Sequence, residues 1–241
     1  MKSLERHQIK RDELVTLLER TALYLEGNTR RVVWIAASVV LIALAGLGLR
    51  SWMSRREAAA SFLAGEMIQT YRAPVTTSLE DLQAAPGGVL TYATTRERDG
   101  RVLELAEDLL ARYGRSGAAP EARYYRGLAL AGLGRSEEAR TAFEELLRRD
   151  PRDFLAPLAR MQLARMFESA GQPADALSHY EALSTDSRIR FPREEGLLGV
   201  ARCQEALGRR EDALKTYRRI VSDFPDSDYQ FEARRKVDDL S

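Results

Sequence analysis

A chain of 241 residues with 44% hydrophobic and 30% charged residues has the composition of a folded protein, not a disordered one. Formal net charge is +1, split as +5 over residues 1–56 and −4 over residues 57–241, so no basic folded domain is present of the kind that nucleic-acid binding requires. Cys203 is the only cysteine and His7 and His179 the only histidines, which excludes an intrachain disulfide, a thiolate metal cluster and lipid attachment at an N-terminal cysteine.

Asp12 to Glu26 carries Leu14, Leu17, Leu18 and Leu25 between charges and is followed by Gly27 and Asn28, a stop signal. Residues 1–29 are therefore expected to be an amphipathic segment that lies on a bilayer or docks on a partner. Val32 to Leu49 is an uncharged run of 18 residues between Arg30, Arg31 and Arg50. As a helix it covers ~27 Å, close to a hydrocarbon core of ~30 Å, and Trp34 and Trp52 fall where indoles prefer the headgroup boundary. A transmembrane helix over 30–54 is expected. A buried core helix would show a polar face, and a cleaved signal peptide would have a shorter leader and a shorter apolar run. The arginines on the two flanks balance, so charge does not set orientation.

Beyond the span, Leu63, Met67 and Tyr71 continue a helical stripe, and Ala73-Pro74 ends it. Residues 73–95 are rich in turn formers and read as a surface loop. A strict repeat then takes over. Gly134, Gly171 and Gly208 are 37 apart, as are Ala139, Ala176 and Ala213, and Phe143, Tyr180 and Tyr217. A period in this range marks a stacked-repeat architecture.

In the first copy, Pro120 to Ala131 places Tyr124, Leu128 and Ala131 at helical spacing, and Gly132-Leu133-Gly134 turns the chain. Ser136 is expected to cap a second helix whose inner face holds Ala139, Phe143, Leu146 and Leu147. Small residues at Gly127, Ala164 and Ala201 let the two helices of each hairpin approach closely. Tyr113-Gly114 with Ala122-Arg123 mirrors Phe224-Pro225 with Ala233-Arg234 at three periods' distance. Residues 96–113 are thus a preceding second helix, partnered by a helix near 57–72, and residues 228–240 a terminal capping helix.

This code of small residue, turn glycine, alanine and aromatic resembles the tetratricopeptide repeat over residues 120–225, with a longer period than the family's usual one. Arg188, where a proline is usual, and Gln204, where an aromatic or leucine is usual, depart from it. The resemblance implies an all-α solenoid of helix hairpins at 57–113, 120–151, 157–188 and 194–225. It implies a groove lined by the first helix of each hairpin, with Tyr124, Leu128, Met161, Arg165, Leu198 and Arg202 as candidate partner-binding residues. The alternative is that Tyr124 and Leu198 only pack between repeats. Tyr124, Leu128, Gln162 and Glu195 lack the lysine and asparagine of the family's carboxylate clamp, which disfavours cytosolic chaperone tails.

No phosphate-binding loop, dinucleotide fingerprint, zinc-protease motif or nucleophile elbow occurs, and acidic pairs such as Glu137-Glu138, Glu144-Glu145 and Glu194-Glu195 read as solvated helix surface. No enzyme, cofactor, metal or small-molecule substrate is expected. The overall layout, entered through ERxxRVLELAEDLLARYG and ARYYRGLALAGLGRSEEA, is similar to the ancillary Sec translocon subunit family of bacterial inner membranes. That family shares its repeat module with the cell-division coordinator of the Tol-Pal system. The resemblance implies a cytoplasmic N-terminus, periplasmic repeats, and the translocon and periplasmic chaperones as partners. A tethered scaffold for another envelope machine would have the same layout.

Overall fold

A computed structural model describes residues 29–76, 90–185 and 191–241. The amphipathic stretch Asp12 to Glu26, positions 77–89 of the 73–95 loop, and Arg188 lie outside the described residues. The chain divides into two units, Met1–Arg55 and Arg56–Ser241. Among the described residues there are nine α-helices and no named strand: α1 (Thr29–Arg72), α2 (Thr95–Tyr113), α3 (Ala119–Gly132), α4 (Ser136–Arg149), α5 (Ala156–Ser169), α6 (Pro173–Thr185), α7 (Arg193–Ala206), α8 (Arg210–Asp223) and α9 (Gln230–Leu240).

The N-terminal part of α1 is long and apolar enough to cross a membrane, and none of the described residues covers it. Trp34, Ile42 and Leu47 are each more than three-fifths exposed. In the second unit, Ala60, Ala64 and Met67 of the same helix are buried against Val102, Leu105, Ala106 and Leu109 of α2. This stretch is the first helix of the first hairpin. Thr94 starts α2 by accepting a hydrogen bond from the Glu97 amide at 3.1 Å. An isolated bridge pairs Val75 with Tyr92, so the two ends of the 73–95 connection are held together.

From α2 onward every helix packs on the next in sequence, as a stack of hairpins must when each unit meets only its neighbours. The hairpin turns are set by glycine chemistry. Gly134, Gly171 and Gly208 have φ of 78°, 70° and 73°, a left-handed conformation that costs other residues ~1–2 kcal/mol. At each, the glycine N–H and the following N–H return to the carbonyls of the finished helix, as in Arg135 to Leu130, Gln172 to Phe167 and Arg209 to Gln204. These are Schellman closures repeated three times.

The expectation that Ser136 caps α4 is corrected: Ser136 is its first helical residue, and Arg135 holds the cap position without a side-chain hydrogen bond to the helix. The Arg135 guanidinium turns instead onto Glu138, at 2.6 and 2.7 Å. The sequence signal misled because the left-handed glycine brings the chain directly into the next helix, leaving no extended residue for the serine to occupy.

Aromatic rings fill the gaps between small residues. A Cβ added at Gly127 would meet the Phe143 ring at 2.5 Å, and one at Gly199 would meet the Tyr180 ring at 2.3 Å. Phe143, Tyr180 and Tyr217 are among the largest fully buried side chains. The Phe143 and Tyr180 rings therefore each depend on a neighbouring helix that presents no side chain to them at these points.

Candidate protein-binding face

The first helices of successive hairpins meet through side chains. Tyr71 of α1 contacts Tyr125 of α3 edge-on, ring centroids 5.1 Å apart, and Tyr125 packs edge-on against Tyr124 at 5.7 Å. The Arg72 guanidinium lies beside the Tyr125 hydroxyl, and Gln162 of α5 lies beside that of Tyr124. Arg165 of α5 then bridges to Glu195 of α7 at 2.9 Å. A row of tyrosine, glutamine, arginine and glutamate thus runs from α1 to α7 along one set of helices. Burial pushes the hydroxyls of Tyr124 and Tyr125 up, with Gln162 and Arg72 pulling the other way, so both stay neutral donors.

The six sequence candidates divide by accessibility. Tyr124, Met161 and Leu198 are buried, at 9%, 4% and 3% exposure, and pack into the hydrophobic clusters between helices. Leu128 is partly buried against the same core. Arg165 and Arg202 keep exposed guanidinium surface, and each is already held by a carboxylate on a neighbouring first helix. The buried three form a floor, and the groups above it are Tyr71, Tyr125, Gln162, Arg165 and Glu195. Tyr71 and Tyr125 were not among the sequence candidates. The only signal for them is their place one residue round the helix from an inward-facing partner.

A second motif ties hairpins together. Glu168, in the last turn of α5, accepts the Tyr180 hydroxyl at 2.8 Å and both Nε and Nη2 of Arg202, at 2.9 and 3.1 Å. Burial pushes the Glu168 carboxyl up, but the hydrogen bonds from Arg202 and Tyr180 and the positive charge of Arg202 together outweigh it and hold it below the usual range. Thirty-seven residues on, Glu205 accepts the Tyr217 hydroxyl, and Lys236 of α9 adds an ion pair at 2.9 Å. In the α3–α4 hairpin the equivalent positions are Ala131 and Phe143. Glutamate and phenolic hydroxyl are present together or absent together, so no buried hydroxyl is left without its acceptor.

Two expectations about charged groups need correction. Glu145 is only partly exposed and collects Arg123, Arg126 and Arg149 at 3.9, 3.5 and 2.8 Å, and Arg123, buried, also holds Asp150 at 2.6 Å. Glu195 likewise is a partner of Arg165. These carboxylates are interhelical ties, not free surface, because a stack of hairpins turns one flank of each helix toward the next. His179 stacks on Phe167 at 5.5 Å and burial lowers its basicity, while the Cys203 thiol is buried and pushed up to about 11 by desolvation. Among the described residues no group of three or more metal-ligating side chains comes together.

Comparison with known proteins agrees with this architecture. The tetratricopeptide repeat family model matches residues 120–153 and a second model of the same repeat matches residues 195–227. The chain therefore contains tetratricopeptide repeats, a fold that typically serves as a non-catalytic scaffold for protein–protein interaction. No curated protein sequence matches the chain. Among solved structures it is similar to PilW, a widely conserved type IV pilus biogenesis factor, at 22% identity and TM-score 0.47. That match covers 60% of each chain, so the protein spans less than two thirds of PilW. It is also similar to Podosopora anserina kinesin light chain-like TPR repeats, at 15% identity, 60% and 78% coverage and TM-score 0.49. A third similar structure is the MamA RS-1 ArsTM double mutant, at 19% identity, 60% and 86% coverage and TM-score 0.45.

Proposed function

We propose that this protein is a single-pass membrane scaffold that holds a segment of a partner protein on the face formed by its first helices. The observation that carries the membrane part is the uncovered apolar stretch of α1, from Val33 to Leu49, whose large side chains are all exposed. A continuous apolar surface of this extent is unfavourable in water and matched to lipid. The binding part rests on the row of Tyr71, Tyr125, Gln162, Arg165 and Glu195. Tyrosine and arginine are the side chains that most often anchor protein interfaces, and here they stand above a buried floor of Tyr124, Met161 and Leu198.

In this reading the N-terminus is cytoplasmic, the repeats are periplasmic, and the chain is an accessory subunit of the Sec translocon that receives exported polypeptides and passes them to periplasmic chaperones. Support for the finer assignment is the similarity of layout, a short N-terminal segment, one anchor and a repeat stack. Protease added to spheroplasts tests the compartment. Digestion of residues 56–241 without lysis is expected, and protection until lysis would refute the assignment. Co-purification from detergent extracts tests the partner: translocon subunits are expected, with recovery reduced by Arg165→Glu, whereas division or secretion-apparatus subunits alone would replace the Sec assignment.

A further inference from the structure

The internal repeat supplies its own standard for how adjacent hairpins close against one another. Two positions matter, one on the second helix of a hairpin and one at the end of the following first helix. The first is Leu103, Arg140, Leu177 and Leu214 in successive copies, and the second is Leu133, Ala170 and Leu207. Leu103 and Leu133 share one hydrophobic cluster, and Leu177 and Leu207 share another. Between α4 and α5 both leucines are missing at once. Arg140 and Ala170 stand there instead, and both line a cleft of about 280 Å³.

The cleft has an apolar floor, Met166, Phe167 and Ala170, and a polar rim that includes Glu137 and Gln172. Arg140 lies over the Phe167 ring, 5.8 Å from its centroid, and reaches Glu137 at 2.6 Å through one Nη. Its Nε is buried and donates no hydrogen bond. Glu144 Oε1 faces that same Nε at 3.8 Å. The rim thus sets two largely exposed carboxylates against one arginine. On the flank behind Phe167, burial and the charge of Arg160 lower the basicity of His179, against the smaller opposing pull of Glu144 and Asp175.

We propose that this cleft accepts an apolar side chain of leucine size from a partner polypeptide, with a basic residue beside it. The incoming side chain takes the space that the solenoid's own leucine pair fills at the junctions on either side. The basic neighbour meets the excess carboxylate of Glu137 and Glu144. This site lies apart from the face of the first helices and takes its partner independently of that face. The earlier reading is tested on Arg165, this one on Arg140 and Ala170.

The test uses the full chain in detergent micelles and a fluorescein-labelled glycine-serine peptide with a central Lys-Leu-Lys, followed by fluorescence anisotropy. Wild type is expected to bind it, and to bind versions carrying aspartate for leucine or glutamate for lysine far less. Arg140→Leu and Ala170→Leu restore the register of the neighbouring junctions. Each is expected to raise the melting temperature while weakening the peptide about thirtyfold, the scale of a lost interface anchor. Equal binding by wild type and both variants would overturn the proposal, as would equal binding of the aspartate peptide. Lowered melting temperatures in both variants would overturn the leucine-register argument. A wild-type dimer that both variants dissolve, with no peptide bound, would assign the cleft to a second copy of this chain instead.

Discussion

Replacing Gly199 by alanine in α7 and Gly65 by alanine in α1 separates packing from helix propensity. Both glycines are helical, and in each case alanine gains ~0.8–1 kcal/mol of intrinsic helix stability. At Gly65 a Cβ meets nothing within 4 Å, so the gain stands alone. At Gly199 the Cβ falls 2.3, 2.5 and 2.5 Å from three atoms of the Tyr180 ring. That ring is 1% exposed and its hydroxyl is fixed on Glu168, so it cannot swing out of the way. Overpacking of this kind costs ~1–3 kcal/mol, and with no slack the upper part of that range applies, giving a net loss of ~1–2 kcal/mol. For a folded unit of this size 1 kcal/mol corresponds to ~2–4 °C. Thermal unfolding followed by circular dichroism should place Gly65→Ala ~2–4 °C above wild type and Gly199→Ala ~2–8 °C below it. A Gly199→Ala protein that melts at or above wild type would show that the Tyr180 ring is not confined, and the account of ring-against-glycine packing would fail.

The paired glutamate and tyrosine make a double-mutant prediction. Phe143→Tyr alone buries a hydroxyl opposite Ala131 and should cost ~1–3 kcal/mol, and Ala131→Glu with Phe143→Tyr should recover much of it by recreating the Glu168–Tyr180 pair, as measured in a chemical-denaturation cycle. Glu168 has a folded-state pKa below its unfolded value near ~4.3, so its contribution is present above that pH and is lost as pH falls through the folded pKa. Wild type should therefore lose stability below about pH 4 more steeply than Glu168→Gln, and parallel acid-unfolding curves for the two would contradict the sign.

The solenoid was legible because its determinants recur at one spacing. A left-handed glycine, a small crossing residue and a buried ring each leave a mark on the sequence, and three copies in phase single out one architecture. The proposed partner face was legible only in part. Periodicity assigns Tyr124, Met161 and Leu198 to the first helices, but how far the next hairpin covers them depends on the crossing of helices 37 residues apart in sequence. That coverage buries them and leaves Tyr71 and Tyr125 half-buried. The Glu168 tie joins positions 12 and 34 residues away, and it could have been found by noticing that Glu168 and Glu205 track Tyr180 and Tyr217 while Ala131 tracks Phe143. Ser136 misled because a serine before an acidic pair has the same composition whether it caps a helix or begins one.

Helix α1 gives Ala60, Ala64 and Met67 to the first hairpin, where they cover Val102, Leu105 and Leu109 of α2. A protease that cut within this stretch would take half of a hairpin's core away with the N-terminal fragment. Shedding the repeats by such a cut would release a domain with an open apolar flank, prone to aggregate or be degraded. Arg56 and Glu57 are tied to the same unit, through the Arg112 carbonyl and the Gly117 amide, so a soluble, shed form that kept this core whole would have to be cut upstream of Arg56.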